Sequence, residues 1–170
     1  GMGALTSQLK SFARKSSGAP RPVPVRRSID NALFLLDQRL RHAGVSVRID
    51  LQGGDIVALC DANRLEQVLV NLIANALDAM AGCPDAALSL SGRHEGGRVF
   101  IQVRDTGPGL PDHVLPRLFE PFFTTKDTGT RDTGGGLGLG LAISAGIVRD
   151  FGGTLAAANG PDGGAVFTVE

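Results

Sequence analysis

The sequence contains no tryptophan and no tyrosine, only two cysteines, and no excess of either charge, 17 Lys and Arg balancing 17 Asp and Glu over 170 residues. Neutrality removes the broad positive field that follows a nucleic-acid backbone, so general nucleic-acid binding is not expected. Cys60 and Cys83 have no CxxC or Cys/His spacing around them. They read as free thiols in a reducing compartment, which excludes a zinc module and a disulfide scaffold. No run reaches the roughly eighteen apolar residues that span a bilayer, and no apolar signal core stands at the start. Gly1-Met2-Gly3 reads as a tag remnant joined to an internal start, so the lack of a membrane segment describes this stretch alone.

Glycine is what the chain has in excess, with 24 residues. They lack the period of three that collagen requires. The 42% hydrophobic and 20% charged fractions provide for a real core and exclude wholesale disorder. The length allows one domain with a short appendage. The glycines concentrate in the C-terminal third, first between Gly129 and Gly140 and again between Gly152 and Gly164. Such clustering serves loops and hairpins, or brings backbone amides close to an anion.

Along the chain, Leu5, Leu9 and Phe12 lie on one side of a short helical pattern that stops in Ser16 to Pro20. Pro20, Pro22 and Pro24 then predict an extended linker over 20–24, with the domain proper following. Ser28 or Asp30 is a candidate cap for a helix carrying Ile29, Leu33, Leu36 and Leu40, which Gly44 ends. Val45, Val47, Ile49 and Leu51 alternate as a half-buried strand. Asp61 precedes the longest periodic segment, whose apolar stripe runs from Leu65 to Met80 before Gly82. Strands at 86–91 and 98–104 flank Gly96-Gly97 as a hairpin. A loop follows with at most a helical turn near 112–118, then a helix from Leu137 to Asp150 and strands at 154–158 and 165–169. This order favours an α/β two-layer sandwich with a mixed, mainly antiparallel sheet covered on one face by helices.

Four stretches carry candidate chemistry. On the long helix Gln67, Asn71, Asn75 and Asp78 stand three or four apart and share one side. An exposed polar face would serve equally, but amides and a carboxylate are better oxygen donors to a hard cation and a phosphate chain than to bulk solubility. Asp105-Thr106-Gly107-Pro108-Gly109 follows a strand, either as a tight turn or as an acceptor for a purine amine with backbone passing close beside the ring. Phe119-Glu120-Pro121-Phe122-Phe123-Thr124-Thr125-Lys126 packs three phenylalanines before residues 127–135, which have no apolar side chain and are expected to form a flexible lid. Gly134 to Leu141 crosses into a helix start, where free amides make an anion cradle. It is not a Walker A loop, because no Gly-Lys-Ser/Thr follows.

In this order the four stretches resemble the catalytic ATP-binding domain of bacterial sensor histidine kinases, within the Bergerat-fold ATPases, over residues 25–170. The N box is matched from Glu66 to Ala79, the first glycine box by Asp105 to Gly109, the F box by Phe119 to Phe123, and the second glycine box by Gly134 to Leu139. The resemblance implies ATP and Mg²⁺ as ligands. It makes Asn71, Asn75 and Lys126 catalytic residues, with Asn75 on the metal, Asn71 supporting the phosphates and Asp105 on the adenine amine. Asp78, Gly107, Gly109, Thr125, Lys126, Gly136, Leu137, Gly138 and Leu139 would complete the nucleotide contacts.

FEPFFTTK and the later GLGLGLAISAGIVRDFGG are similar to the C4-dicarboxylate and nitrogen-regulation sensors. Residues 4–19 are similar to the end of a second dimerisation helix. By that likeness the parent is a bacterial inner-membrane sensor with this domain in the cytoplasm. Its partners would be dimerisation helices bearing a phosphoacceptor histidine and the receiver domain of a response regulator. His42, His94 and His113 do not match the acceptor context. Hydrolysing members of the fold carry a glutamate base where Asn71 stands, which favours transfer over hydrolysis; Glu66 lies about 140° around the helix from Asn71. A regulatory nucleotide-binding module and a serine-directed anti-sigma-type kinase are the alternatives.

Overall fold

In the computed structural model, residues 20–52, 56–111, 113–120, 140–160 and 164–169 are described. The expected helix at 4–15, the lid at 127–135, and Phe122, Phe123, Thr125, Lys126, Gly136, Leu137, Gly138 and Leu139 lie outside them.

The chain enters through β1 (Arg21–Pro24), which pairs antiparallel with β3 (Val57–Cys60), Val23 facing Ala58. The expected linker at 20–24 is therefore largely a strand: prolines lack a backbone donor but sit readily in the edge of a two-stranded ribbon. α1 (Val25–Leu35) begins at once, and the Val25 amide donates to the Ile56 carbonyl at 2.9 Å. That bond replaces the side-chain cap expected from Ser28 or Asp30, and Ser28 is buried inside the helix. The single helix expected here is also two. Leu36 leaves helical geometry, and α2 (Asp37–Ala43) follows, closed by Gly44 at φ +67° with Val45 N bonded to Leu40 O. This is a Schellman closure, in which glycine takes the left-handed residue.

α3 (Ala62–Ala79) is the centre of the fold and packs on α1, α2, α4 (Gly140–Asp150) and β5 (Arg98–Asp105). Asp61 caps it as expected, its carboxylate accepting from Asn63 N at 2.9 Å and Arg64 N at 3.2 Å. Such a cap contributes about 1 kcal/mol. Val68, Leu69, Leu72 and Ile73 are wholly buried along the apolar stripe.

The main sheet has the order β2-β4-β5-β7-β6, built from β2 (Ser46–Leu51), β4 (Ala87–Glu95), β5, β6 (Leu155–Asn159) and β7 (Ala165–Val169). Only β2–β4 is parallel among these pairs. Gly96 and Gly97 both have positive φ, +59° and +78°, as the tight β4–β5 hairpin requires. Leu88, Leu90, Ile101, Val103 and Phe167 point into the core, whereas Ser89, Ser91, Gln102 and Arg104 line the opposite face. Helices thus cover one face of a mixed, mainly antiparallel sheet, and the expected helical turn after β5 is a 3-10 turn at Leu115–Arg117. No helix of the described residues is long and apolar enough to cross a membrane.

Candidate functional site

Asp105 is the last residue of β5 and is only 3% exposed. Its Oδ1 accepts from Gly107 N at 2.9 Å and from Ala165 N at 3.2 Å. Burial pushes the carboxyl above its ordinary value, and the two amides pull it part of the way back. Among the described residues no hydrogen bond occupies Oδ2, so one acceptor oxygen is held rigidly while the other stays available.

Glycines make this approach possible. At Gly164, φ is +75° and an added Cβ would overlap the Asp105 carbonyl oxygen, so a side chain there would displace the start of β7 and with it the Ala165 amide. At Gly107 an added Cβ would meet the Ala79 carbonyl at 2.8 Å, which seats the loop against the end of α3. Thr106 strengthens that joint: its amide and hydroxyl both lie 3.5 Å from Met80 Sδ, and its Oγ1 accepts from Ala87 N at 3.0 Å. Gly109 has φ +85° and lies against Asn159, whose side chain accepts from Leu110 N at 2.7 Å and donates to Leu110 O at 2.8 Å. The loop after Asp105 is thereby pinned on both sides.

The polar face of α3 divides by partner. Asn71 Nδ2 donates to Gly140 O at 3.3 Å and to Ser144 Oγ at 3.0 Å, tying α3 to the first turn of α4. Farther along the same two helices, Arg64 Nη1 meets Asp150 Oδ2 at 3.3 Å with the Arg64 side chain only 9% exposed. The pairs Asn71–Gly140 and Arg64–Asp150 show that the helices run antiparallel. Asp78 is bonded to Arg39 of α2 at 2.9 Å, away from the Asn71 contact. Glu66 accepts from Asn31 of α1 at 2.8 Å, so Glu66 and Asn71 address different helices. Asn75 is half-buried and, among the described residues, its carboxamide makes no hydrogen bond.

From Asn71 to Ala79 the helix rises about 12 Å. One end meets the buried carboxylate loop and the other meets the start of α4, with Asn75 between. This is a span suited to an extended ligand with an amine at one end and anionic groups at the other. The donor set also bears on a metal. No group of three or more His, Cys, Asp or Glu that could hold an ion occurs among the described residues. A single neutral carboxamide suits a hard divalent ion whose remaining oxygens come from a phosphate ligand and water.

The structure thus brings together Asp105, Gly107, Gly109 and the end of α3, and separately Asn71 with α4, while Asp78 turns to Arg39. Asn159, Gly164 and Ser144 escaped the sequence reading. Gly164 had a local signal as part of a glycine doublet, but Asn159 and Ser144 act across long sequence separations and had none.

Comparison with known proteins agrees with this arrangement. The family model described as histidine kinase-, DNA gyrase B-, and HSP90-like ATPase matches residues 60–170. The chain is 40% identical over 162 residues to the C4-dicarboxylate transport sensor protein DctB of Rhizobium meliloti, covering 95% of this chain and 25% of that protein. It is 40% identical over 170 residues to the two-component sensor PprA of Pseudomonas aeruginosa, covering 97% of this chain and 18% of that one. The chain therefore spans about a quarter or less of these relatives. Among solved structures, a nucleotide-free catalytic domain of histidine kinase ThkA superposes with a TM-score of 0.75 at 27% identity, covering 88% of this chain and 94% of that one. Full-length ShkA in complex with AMPPNP gives 0.80 at 26% identity, covering 98% and 34%. The chain belongs to the histidine kinase-, DNA gyrase B- and HSP90-like ATPase family, and is a catalytic ATP-binding domain homologous to those of sensor histidine kinases.

Proposed function

We propose that this domain binds Mg²⁺-ATP and transfers the γ-phosphoryl group to a histidine on the dimerisation helices of a two-component sensor, for relay to a response-regulator aspartate. The observation that carries the reading is Asp105, a buried carboxylate with one oxygen fixed by two backbone amides and the other available at the end of the asparagine-bearing helix. In this reading Oδ2 accepts from the exocyclic amine of adenine, and Gly107 lets the loop sit against α3 so that its backbone passes beside the ring. Asn71 acts chiefly by positioning α4, the helix that follows the glycine-rich segment. Asn75 contributes its carboxamide oxygen to the metal, which when bound neutralises charge across the phosphates. Lys126, Thr125 and the amides of Gly136, Leu137, Gly138 and Leu139 are proposed phosphate contacts on the family resemblance.

In the transfer, an imidazole nitrogen forms a bond to the γ-phosphorus while the bond to the bridging oxygen breaks. ADP leaves with that electron pair, and the ring proton passes to water. His42, His94 and His113, on α2, on β4 and in the turn before the 3-10 helix, do not stand in the acceptor context of a dimerisation helix, so the acceptor is assigned to another polypeptide segment. The carboxylate of Glu66 is engaged by Asn31, which supports transfer over hydrolysis with Glu66 as base. The parent protein is proposed to be a bacterial inner-membrane sensor with residues 4–19 closing its second dimerisation helix and residues 25–170 forming the cytoplasmic catalytic domain.

The test is incubation of the chain with γ-labelled ATP and an added dimerisation domain bearing the acceptor histidine. Alkali-stable, acid-labile label on the added domain is expected. Nucleotide binding without transfer would instead identify a regulatory module, and acid-stable label on serine would identify an anti-sigma-type kinase.

A further inference from the structure

β2 is an end strand of the five-stranded sheet, and no strand among the described residues pairs with its outer side. Ser46 N donates to Ala86 O at 3.1 Å and Gln52 N to Gly92 O at 2.9 Å, so the even-numbered residues turn their backbone groups towards β4. Val47, Ile49 and Leu51 turn theirs outward, because strand geometry alternates with a period of two. Natural sheet edges are commonly blunted by proline, lysine, a bulge or a covering segment. Ser46–Leu51 reads SVRIDL and carries neither proline nor lysine, and its two exposed charges, Arg48 and Asp50, are of opposite sign, so they repel a foreign strand in some registers and attract a second copy in one.

We propose that this edge is a self-association surface, on which the β2 strand of a second copy of the chain pairs antiparallel about a two-fold axis at Ile49. The register follows from the free groups. An axis on the inward-turned Arg48 or Asp50 would also pair the outward groups but sets like charges face to face, so the axis falls on an outward-turned residue as a hydrogen-bonded pair, which leaves Val47, Ile49 and Leu51. Centring on Val47 sets Arg48 against Ser46, and centring on Leu51 sets Asp50 against Gln52. Centring on Ile49 sets Arg48 against the partner's Asp50, and Asp50 against the partner's Arg48. These are non-hydrogen-bonded positions, where cross-strand side chains lie closest. Both Arg48 and Asp50 are exposed, and among the described residues neither forms an ion pair.

The apolar side of the same strand is consistent with this occupant. Ile49 would pack on the partner's Ile49, and Val47 on the partner's Leu51. Phe34, 80% exposed, and Val47, 40% exposed, line one groove of about 380 Å³ beside the strand. A second sheet continuing past β2 would cover that groove on the helix side. One strand separates β2 from β5, so the pairing leaves the Asp105 loop open.

The experiment is sedimentation equilibrium of the chain over a wide concentration range, with Arg48→Asp and Asp50→Arg, each checked for an unchanged thermal unfolding midpoint at a concentration too low for the dimer to form. The wild-type chain is expected to dimerise reversibly. Each variant alone places like charges opposite one another twice and should weaken dimerisation by about tenfold or more. An equimolar mixture of the two variants should recover wild-type affinity, since unlike charges face again in the mixed dimer. A monomeric wild-type chain, as when another segment of the same chain covers the edge, would overturn the proposal. So would variants that associate as the wild type does, as expected if residues 4–19 drive association, or a mixture no tighter than its components.

Discussion

Asn71 and Ser144 meet side chain to side chain at 3.0 Å, and the same Asn71 nitrogen reaches the Gly140 carbonyl at 3.3 Å. One carboxamide thus fixes the first turn of α4 to the middle of α3. Ser144→Ala is expected to cost about 1 kcal/mol and Asn71→Ala somewhat more, with a coupling of about 1 kcal/mol in a double-mutant cycle followed by urea denaturation. Asn71→Asp should be worse than either, because it turns a carboxylate towards a carbonyl oxygen. Strictly additive single effects would dissolve the proposed link.

Asp105→Asn separates recognition from folding. Asparagine can keep its oxygen on the Gly107 and Ala165 amides, but it presents a donor where the available acceptor stood. ATP affinity measured by calorimetry should fall by about 10- to 100-fold. Stability at neutral pH should hold or rise. The carboxyl is raised above its ordinary value of 3.8, so protonation favours the folded state. The energetic cost of the charge is absent below the unfolded value and grows as pH rises through the native one. The stability difference between wild type and Asn should therefore change in that window and level off above it.

Gly164→Ala confronts both a left-handed φ and overlap with the Asp105 carbonyl oxygen. A loss of about 2 kcal/mol or more is expected, together with weakened ATP binding as the Ala165 amide moves off Asp105. Gly152→Ala is the control: its φ is +84°, but an added Cβ would meet nothing nearby. It should cost about 1 kcal/mol through backbone strain alone and leave ATP affinity intact. Equal losses in the two variants would remove Gly164 from the site.

The two thiols should differ in reactivity. Cys60 is buried, and desolvation, with a smaller contribution from the adjacent Asp61 charge, pushes its thiol from 9.0 to about 11. Cys83 is half-buried. A thiol reagent near neutral pH should modify Cys83 first and reach Cys60 only as the protein opens, which mass mapping of the labelled peptides would check. Since the native Cys60 value is the higher one, its contribution to stability is complete below 9.0 and disappears as pH rises towards 11.

Local signals made α3 and its Asp61 cap legible, because a periodic stripe and a capping carboxylate act within one or two turns. The Gly96-Gly97 hairpin was legible for the same reason, as was the order of motifs that places Asp105 beyond a strand and Asn71 and Asn75 on a helix. The division of α1 from α2 at Leu36 was not, since neither glycine nor proline marks it. The omitted cap at Val25 depends on Ile56, thirty-one residues away in sequence. Asn159 was invisible because it braces Leu110 through the fold, and Asp78 could be placed on the correct helix but not turned towards Arg39. The Val25 bond and the Asn159 and Asp78 contacts all join residues distant in sequence, which local pattern does not register.

The pairing of β1 with β3 sets the path along which force crosses the domain. Arg21 lies opposite Cys60, and the next residue, Asp61, caps the helix that bears Asn71 and Asn75. The residue that enters β1 and the residue that leads into α3 therefore stand side by side at one end of the ribbon, so a load passing between them falls on the single Arg21–Cys60 pair. The helix that carries Asn71 and Asn75 is thus capped one residue beyond the first contact the described chain makes.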